Sequence, residues 1–257
     1  MKAMEANNKT NNDPNFYRVI VVGGGFAGVG AAIKLKEAGI EDFILLEKAH
    51  EMGGVWRENT YPGCACDVPS ALYSYSFAPN PAWSRVFAEQ KEIKRYLFDV
   101  VEHYDVMPHV RLNCEALKAQ WCDVENCWII QTAQGELRSQ FAILACGPMH
   151  EPVLPKVKGI EDFKGEIFHS SQWRHDIDLT GKRVAVIGTG ASAVQFVPQI
   201  QPLVENLTIF QRTAQWILPK SDMPLVKPLR TLFKLLPITQ QLMRGSVYGI
   251  FETINAG

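Results

Sequence analysis

The sequence predicts an α/β chain organised around two parallel β-α-β units, and two observations carry that prediction. A β-branched run, Arg18-Val-Ile-Val-Val22, leads directly into Gly23-x-Gly25-x-x-Gly28, and a second, Arg183-Val-Ala-Val-Ile187, leads into Gly188-x-Gly190-x-x-Ala193. Each turn opens a stretch of helical composition and is followed by another short strand, Phe43–Leu46 in the first case and Asn206–Phe210 in the second. Strand, glycine turn, helix and strand in that order make a Rossmann-like dinucleotide-binding unit. The first glycine makes the tight turn, the second lets the backbone approach a pyrophosphate, and the third lets helix and strand pack closely. The N–H groups at the helix start then face the phosphates.

The bulk composition sets the class. With 257 residues the chain is long enough for one large or two ordinary domains. A hydrophobic content of 47% with 21% charged residues is that of a soluble globular protein, and the net charge of −1 gives no electrostatic case for nucleic acid as a partner. The six cysteines (Cys64, Cys66, Cys114, Cys122, Cys127 and Cys146) show no paired zinc-type spacing, so no metal site is expected. The polar start lacks the apolar region of a signal peptide, and no run approaches the ~18 apolar residues of a membrane span. A cytoplasmic protein with reduced thiols is expected.

Taken in order, residues 1–15 carry almost no apolar side chains and read as a disordered tail. The strand from Arg18 to Val22 and the helix from Ala27 to Ala38, closed by Gly39, begin the first unit. Glu47 stands at the end of its second strand, 24 residues beyond Gly23, where a carboxylate accepts hydrogen bonds from ribose hydroxyls. Gly53-Gly54-Val-Trp56, continuing to Tyr61-Pro62-Gly63-Cys-Ala-Cys-Asp67, is too rich in glycine, proline and aromatics for a regular helix or central strand and reads as a functional loop. Cys64 and Cys66 are one residue apart, a spacing that strains a disulfide ring. Gln90–His103 reads as a helix, 113–140 as short strands with polar turns such as Gln134-Gly135, and Phe141–Gly147 as an apolar strand ending in glycine. Pro148, Pro152 and Pro155 mark a linker.

In the second unit the helix from Ala191 runs to about Gln201, and Arg212 occupies the position of Glu47, again 24 residues beyond its first glycine, Gly188. An acid suits a ribose diol, whereas an arginine suits a 2′-phosphate. The first unit is therefore expected to hold FAD and the second NADPH, with Ser192 in the phosphate turn and Thr213 adding a hydroxyl. Residues 222–257 alternate leucines with basic residues and read as short amphipathic helices interrupted by Pro228 and Pro237. Packing against the protein is the first reading of that segment, and contact with a membrane surface stays open.

Between the two units lies Phe163-x-Gly165-x-x-x-His169-x-x-x-Trp173, and the 53–67 loop fits (A/G)-G-x-W-x-x-x-x-(Y/F)-P-G-x-x-x-D at every fixed position. On these motifs the sequence resembles the flavoprotein Baeyer–Villiger monooxygenases over about residues 16–220. After the tryptophan that family usually has Pro or Asp, where this chain has Arg174. The resemblance implies an FAD/NAD(P)-binding flavoprotein monooxygenase fold, truncated here. The expected layout is a first FAD-binding segment over 16–150, a fingerprint linker over 151–178, the start of an NADPH-binding domain over 179–221 and a helical segment over 222–257.

The resemblance further implies that Gly54 and Trp56 lie along the flavin with Gly23, Gly25 and Gly28, that Asp67 sits near the isoalloxazine ring, and that His169 and Trp173 belong to the catalytic region. The role implied for His169 is to organise domain motion through backbone hydrogen bonds, not to transfer a proton. The implied reaction uses NADPH and O2 to form a flavin C4a-peroxide that inserts one oxygen beside the carbonyl of a hydrophobic ketone, giving an ester or lactone. Family members are roughly twice this length, and the arginine that pairs with Asp67 belongs to the half not present, so the 257-residue chain alone is expected to be a poor monooxygenase. The alternatives are a flavin-containing monooxygenase acting on nitrogen or sulfur and a non-catalytic nucleotide-binding remnant. The absence of a well-spaced cysteine pair argues against a disulfide reductase.

Overall fold

A computed structural model describes residues 13–149, 151–217 and 220–255. The expected disordered tail falls mostly on residues 1–12, outside the described residues. Asp13 to Asn15 form a hydrogen-bonded turn leading into the first strand.

The elements in chain order are β1 (Phe16–Val22), α1 (Phe26–Glu37), β2 (Phe43–Leu46), α2 (Val55–Glu58), α3 (Gln90–His103), β3 (Val110–Arg111), β4 (Ala116–Cys122), β5 (Cys127–Thr132), β6 (Gly135–Leu144), β7 (Arg183–Ile187), α4 (Ala191–Ile200), β8 (Asn206–Phe210), α5 (Lys227–Leu235) and α6 (Pro237–Asn255). They fall into two compact units: the described part of Met1–Gly54 with Val101–Pro148, and Val55–Val100 with the described part of Met149–Gly257.

The first unit is a six-stranded sheet in the order β3-β2-β1-β6-β5-β4. β1 is parallel to both β2 and β6, with Val19 opposite Phe43 on one side and Phe141 on the other. All four residues of β2 are buried, which is why its sequence is apolar without alternation. Ile20, Ile44, Leu46, Cys114, Ile130 and Leu137 form the core on one side of the sheet. β6 is longer at its start than the apolar run implied. Its first half, Gly135–Ser139, pairs antiparallel with β5, and its second half runs parallel to β1. A strand that is half hairpin and half central shows polar alternation first and a continuous apolar run afterwards, and only the second half stands out in sequence. It also stops earlier, at Leu144, although the Ala145 N–H still donates to the Val22 carbonyl at 2.8 Å.

In the second unit β7 and β8 pair in parallel, Arg183 opposite Asn206 through Ile187 opposite Phe210, with α4 as their crossover. In the same unit Arg85 pairs with Asp222 at 2.8 Å, and the Val86 N–H donates to the Met223 carbonyl. Two sequence expectations need correction here. The glycine-rich 53–67 stretch contains one helical turn, α2, fitted between Gly54 and Pro62. The prolines of 222–257 begin helices instead of interrupting them. Pro228 lies in the first turn of α5, and Pro237 starts α6, which is 19 residues long. A proline in the first turn loses no helical hydrogen bond, because that N–H has no partner in any helix. α6 is tied down by Arg244, which donates to the Ala71 carbonyl at 2.6 Å, and by Gln240, which donates to the Asn80 carbonyl at 2.7 Å. Among the described residues, no helix is long and apolar enough to cross a membrane.

Candidate functional site

The first glycine turn is built under steric constraint. Gly23 has φ +111°, and a Cβ on it would lie 2.4 Å from the Ala145 carbonyl oxygen. A Cβ on Gly28 would lie 1.8 Å from the Gly23 carbonyl oxygen, so the third glycine admits no side chain. Gly25 is the N-cap of α1 and makes no side-chain cap, and a helix start of this kind suits an anion. Gly54, at φ +52°, faces Gly25 so closely that a Cβ on it would sit 3.1 Å from the Gly25 α carbon.

Glu47 is buried at the end of β2, 4% exposed, with its carboxylate fixed at both oxygens. Gly24 N–H donates to Oε2 at 2.8 Å and Ala49 N–H to Oε1 at 2.9 Å. A buried carboxylate held by backbone donors beside a glycine turn is a fixed acceptor for paired hydroxyls.

The second turn is open by comparison. Gly188 has φ +107°, and nothing lies within 4 Å of a Cβ built on Gly188 or Gly190. Gly190 is the N-cap of α4, again without a side-chain cap. Arg212 and Thr213 follow β8 and are exposed, and among the described residues Arg212 makes no ion pair. That is the state expected of a guanidinium placed to receive an external phosphate.

Trp56, on α2, is buried. Its indole N–H donates to the Tyr73 hydroxyl at 2.8 Å, and its carbonyl accepts from Gln90. The loop that follows lies on α4 of the same unit. Asp67 Oδ1 accepts from Gln195 Nε2 at 2.8 Å and lies 3.8 Å from Lys220 Nζ. Ser192, expected at a phosphate turn, is the second residue of α4 and is half-buried. Gln195 is the residue the sequence reading missed. Its partners lie 128 to 134 positions away, and no local pattern names them.

The 163–173 segment orders itself from within. The Phe163 ring lies over Gly165, where a Cβ would come within 2.6 Å of it. His169 caps a short 3₁₀ turn over Ser170–Gln172, its Nδ1 accepting from Ser171 N–H at 3.2 Å and pairing with the Ser171 hydroxyl at 2.8 Å. Trp173 packs edge-on against Phe168 at 5.4 Å and tilted against Phe196 of α4 at 5.2 Å. Arg174 forks onto Asp176 at 2.6 and 2.8 Å, holding the Asp176 carboxyl down at about 2.

Cys64 and Cys66 are free and buried. Desolvation pushes both thiols up, Cys66 to about 11, against what a redox or nucleophilic cysteine needs. At pH 8, iodoacetamide is expected to label exposed Cys146 while sparing Cys64 and Cys66, as read by peptide mass spectrometry. Labelling of all three at similar rates would contradict the burial. The same shift makes the Cys66 contribution to stability complete below the thiol's ordinary value of 9, and it is lost as the pH rises towards 11.

Residues 20–231 match the family model described as pyridine nucleotide-disulphide oxidoreductase. The chain is 48% identical to a Baeyer–Villiger monooxygenase of Streptomyces coelicolor over 235 residues, and 48% identical to another of Pseudomonas aeruginosa over 236 residues. Each match covers 91% of this chain and 45% of the relative, so the chain spans less than half the length of these curated relatives. Among solved structures it is similar to an oxidised steroid monooxygenase bound to NADP (TM-score 0.78, 37% identity, 86% of this chain and 43% of the other). It is also similar to the OTEMO complex with FAD and NADP (TM-score 0.77, 34% identity, 85% of this chain and 44% of the other).

Proposed function

This chain belongs to the pyridine nucleotide-disulphide oxidoreductase family, and from that premise we propose that it acts in an FAD- and NADPH-dependent monooxygenase of the Baeyer–Villiger type. The reaction inserts one oxygen atom of O2 beside the carbonyl of a hydrophobic ketone to give an ester or lactone. The observation that supports this most is one β-α-β unit used twice with opposite charges at the same position, Glu47 in one and Arg212 in the other, in a chain 48% identical to curated Baeyer–Villiger monooxygenases. The family name covers disulfide reductases as well, but buried Cys64 and Cys66 with raised thiols are unsuited to that chemistry.

The residues present fit both groups. At the first turn, Gly23 and Gly28 exclude side chains from the approach of a pyrophosphate, and Glu47 offers a pre-oriented acceptor to the adenosine ribose of FAD. At the second, the open cradle at Gly188 and Gly190 with Arg212, which makes no ion pair among the described residues, suits the pyrophosphate and 2′-phosphate of NADPH, with Ser192 and Thr213 as nearby hydroxyl donors. When bound, a flavin supplies hydride acceptance and the activation of O2. This chain's residues bind, orient and exclude water. Asp67 is held at a defined position by Gln195, Trp56 is locked by Tyr73 and Gln90, and His169 and Trp173 shape the fingerprint turn, His169 as an organiser without a proton-transfer role.

The test is the visible spectrum of the purified chain with FAD, before and after anaerobic NADPH, followed by assays with a cyclic ketone beside a thioether. The expected result is a flavin spectrum that bleaches with NADPH, and ester formation outweighing sulfoxide formation in whichever preparation turns over. A chain that stays colourless with FAD refutes the first site. Sulfoxidation alone moves the reading to a heteroatom monooxygenase.

A further inference from the structure

One amide of α4 uses its full hydrogen-bonding capacity on the loop that carries Asp67. Gln195 Oε1 accepts from the Ala65 N–H at 3.1 Å and from the Tyr61 hydroxyl at 3.2 Å. Its Nε2 donates to the Ala65 carbonyl at 3.0 Å and to Asp67 Oδ1 at 2.8 Å. A glutamine has two N–H donors and two lone pairs on oxygen, so none is left over. The loop also touches the helix backbone. Gly63 has φ +75°, and a Cβ on it would lie 2.9 Å from the Gln195 carbonyl oxygen. Residues 61–67 are thus fastened to the first two turns of the helix whose N-cap, Gly190, belongs to the second glycine turn.

We propose that Gln195 is a positioning residue that ties Asp67 to the second dinucleotide turn, so that a nucleotide seated at the start of α4 stiffens residues 61–67 and fixes the Asp67 carboxylate. The inference rests on the reading of 188–193 as a nucleotide turn and adds to it a defined route from that turn to Asp67. The two ends are coupled because ordering α4 and ordering the loop are the same event, joined by four hydrogen bonds from one side chain. Coupling of this kind is reciprocal. Whatever factor the nucleotide contributes to loop order, loop order contributes to nucleotide affinity.

The experiment is hydrogen exchange at the amides of 63–67 in the full chain with FAD, with and without saturating NADP+, and with NADP+ affinity measured separately by calorimetry. In the wild-type chain NADP+ is expected to slow exchange of Ala65 and Asp67 by about 5-fold or more, the lower end of ordinary couplings between sites. In Gln195→Met, of similar length but without the four hydrogen bonds, the slowing disappears, while NADP+ binding weakens by no more than the same factor. Gln195→Glu keeps the acceptor for Ala65 and Tyr61 but sets a second carboxylate against Asp67. Such a pair shares one proton at low pH and repels when both ionise.

The NADP+ response of Gln195→Glu is therefore expected at about pH 5 and lost at about pH 8, a pH switch that a merely structural brace does not produce. The other groups facing Asp67 are the Lys220 ammonium, the Tyr61 hydroxyl and the thiols of Cys64 and Cys66, and burial pushes the last three up, away from that window. NADP+ binding without slower exchange in the wild type, or an unchanged response in Gln195→Met, overturns the inference. If Gln195→Met does not fold, the wild type and Gln195→Glu decide. A flat NADP+ isotherm is a separate outcome, which refutes the second nucleotide site and this route with it.

Discussion

Gly28→Ala is expected to yield a chain that neither folds its first unit nor retains flavin, whereas Gly190→Ala folds normally and loses only nucleotide affinity. The two substitutions add the same methyl group to matching turns of the same motif, and the local space decides the outcome. At Gly28 the new Cβ meets the Gly23 carbonyl oxygen at 1.8 Å and the Ala145 Cβ at 3.6 Å, and Gly23 cannot give way because its own turn is pressed against the Ala145 carbonyl. Overpacking against fixed backbone is expected to cost about 3 kcal/mol or more, a large part of a domain's net stability of roughly 5–15 kcal/mol.

Gly190 sits at φ −72° with open space around it, so alanine there changes stability by less than about 1 kcal/mol, the usual range for an N-cap exchange. Its methyl group projects where a pyrophosphate has to approach, and NADP+ affinity is expected to fall by roughly 10-fold or more. Thermal melts of both variants, flavin content after purification and an NADP+ titration of Gly190→Ala check the contrast. Equal melting of the two variants would show that the packing at Gly28 is looser than the structure has it.

That contrast also marks where sequence reading stops. Both motifs are legible as glycine spacing after a β-branched strand, and β2, α3 and β8 fall on the expected residues because each is a locally complete pattern: a buried apolar run, an amphipathic 14-residue helix and a short strand bounded by polar residues. The first half of β6 lies in the 113–140 stretch read as short strands, but its continuity with the apolar run from Phe141 was not legible, because its order comes from a hairpin partner, β5. Pro237 reads as a stop and is a start, since sequence alone does not say on which side of a proline the helix lies. Glu47 was legible because its position is fixed by the motif, but not the two backbone donors that hold its carboxylate. Gln195 was not legible at all, because everything it holds comes from a segment more than a hundred residues earlier.

The fingerprint segment gains a physical account from its internal contacts. Phe163, Gly165, His169 and Trp173 are spaced as they are because each solves a local problem. A ring covers a glycine that has no room for Cβ, an imidazole caps a 3₁₀ turn, and an indole seats against Phe168 and Phe196. Phe196 lies one residue beyond Gln195 on α4 and also packs edge-on with Tyr61 at 6.0 Å. The same helix turn that holds Asp67 through hydrogen bonds therefore holds Trp173 through packing. Trp173 of the fingerprint and Asp67 of the loop, more than a hundred residues apart, converge on two neighbouring side chains of α4, the helix that the second glycine turn opens.

Arg212→Gln is expected to weaken NADP+ binding by roughly 10- to 100-fold while leaving NAD+ binding within about 2-fold, the signature of one lost charge-assisted contact to the 2′-phosphate. Arg212 stands at the position that Glu47 holds in the first unit, it is exposed, and among the described residues it has no carboxylate partner to compete with a phosphate. Because the contact is electrostatic and solvent-facing, the wild-type preference for NADP+ should shrink as salt is raised from 50 to 500 mM (rough working concentrations), as screening lengths shorten, and Arg212→Gln should lose that salt dependence. Arg212→Glu is expected to go further. A carboxylate there repels the 2′-phosphate and accepts from a free ribose diol, so NAD+ becomes the better ligand, as Glu47 suits FAD in the first unit. Isothermal titration of the three chains with both nucleotides reads all of this directly. Equal affinity of the wild type for NAD+ and NADP+ would refute the assignment of the phosphate to Arg212, and a parallel loss of both nucleotides in Arg212→Gln would place the arginine on the pyrophosphate instead.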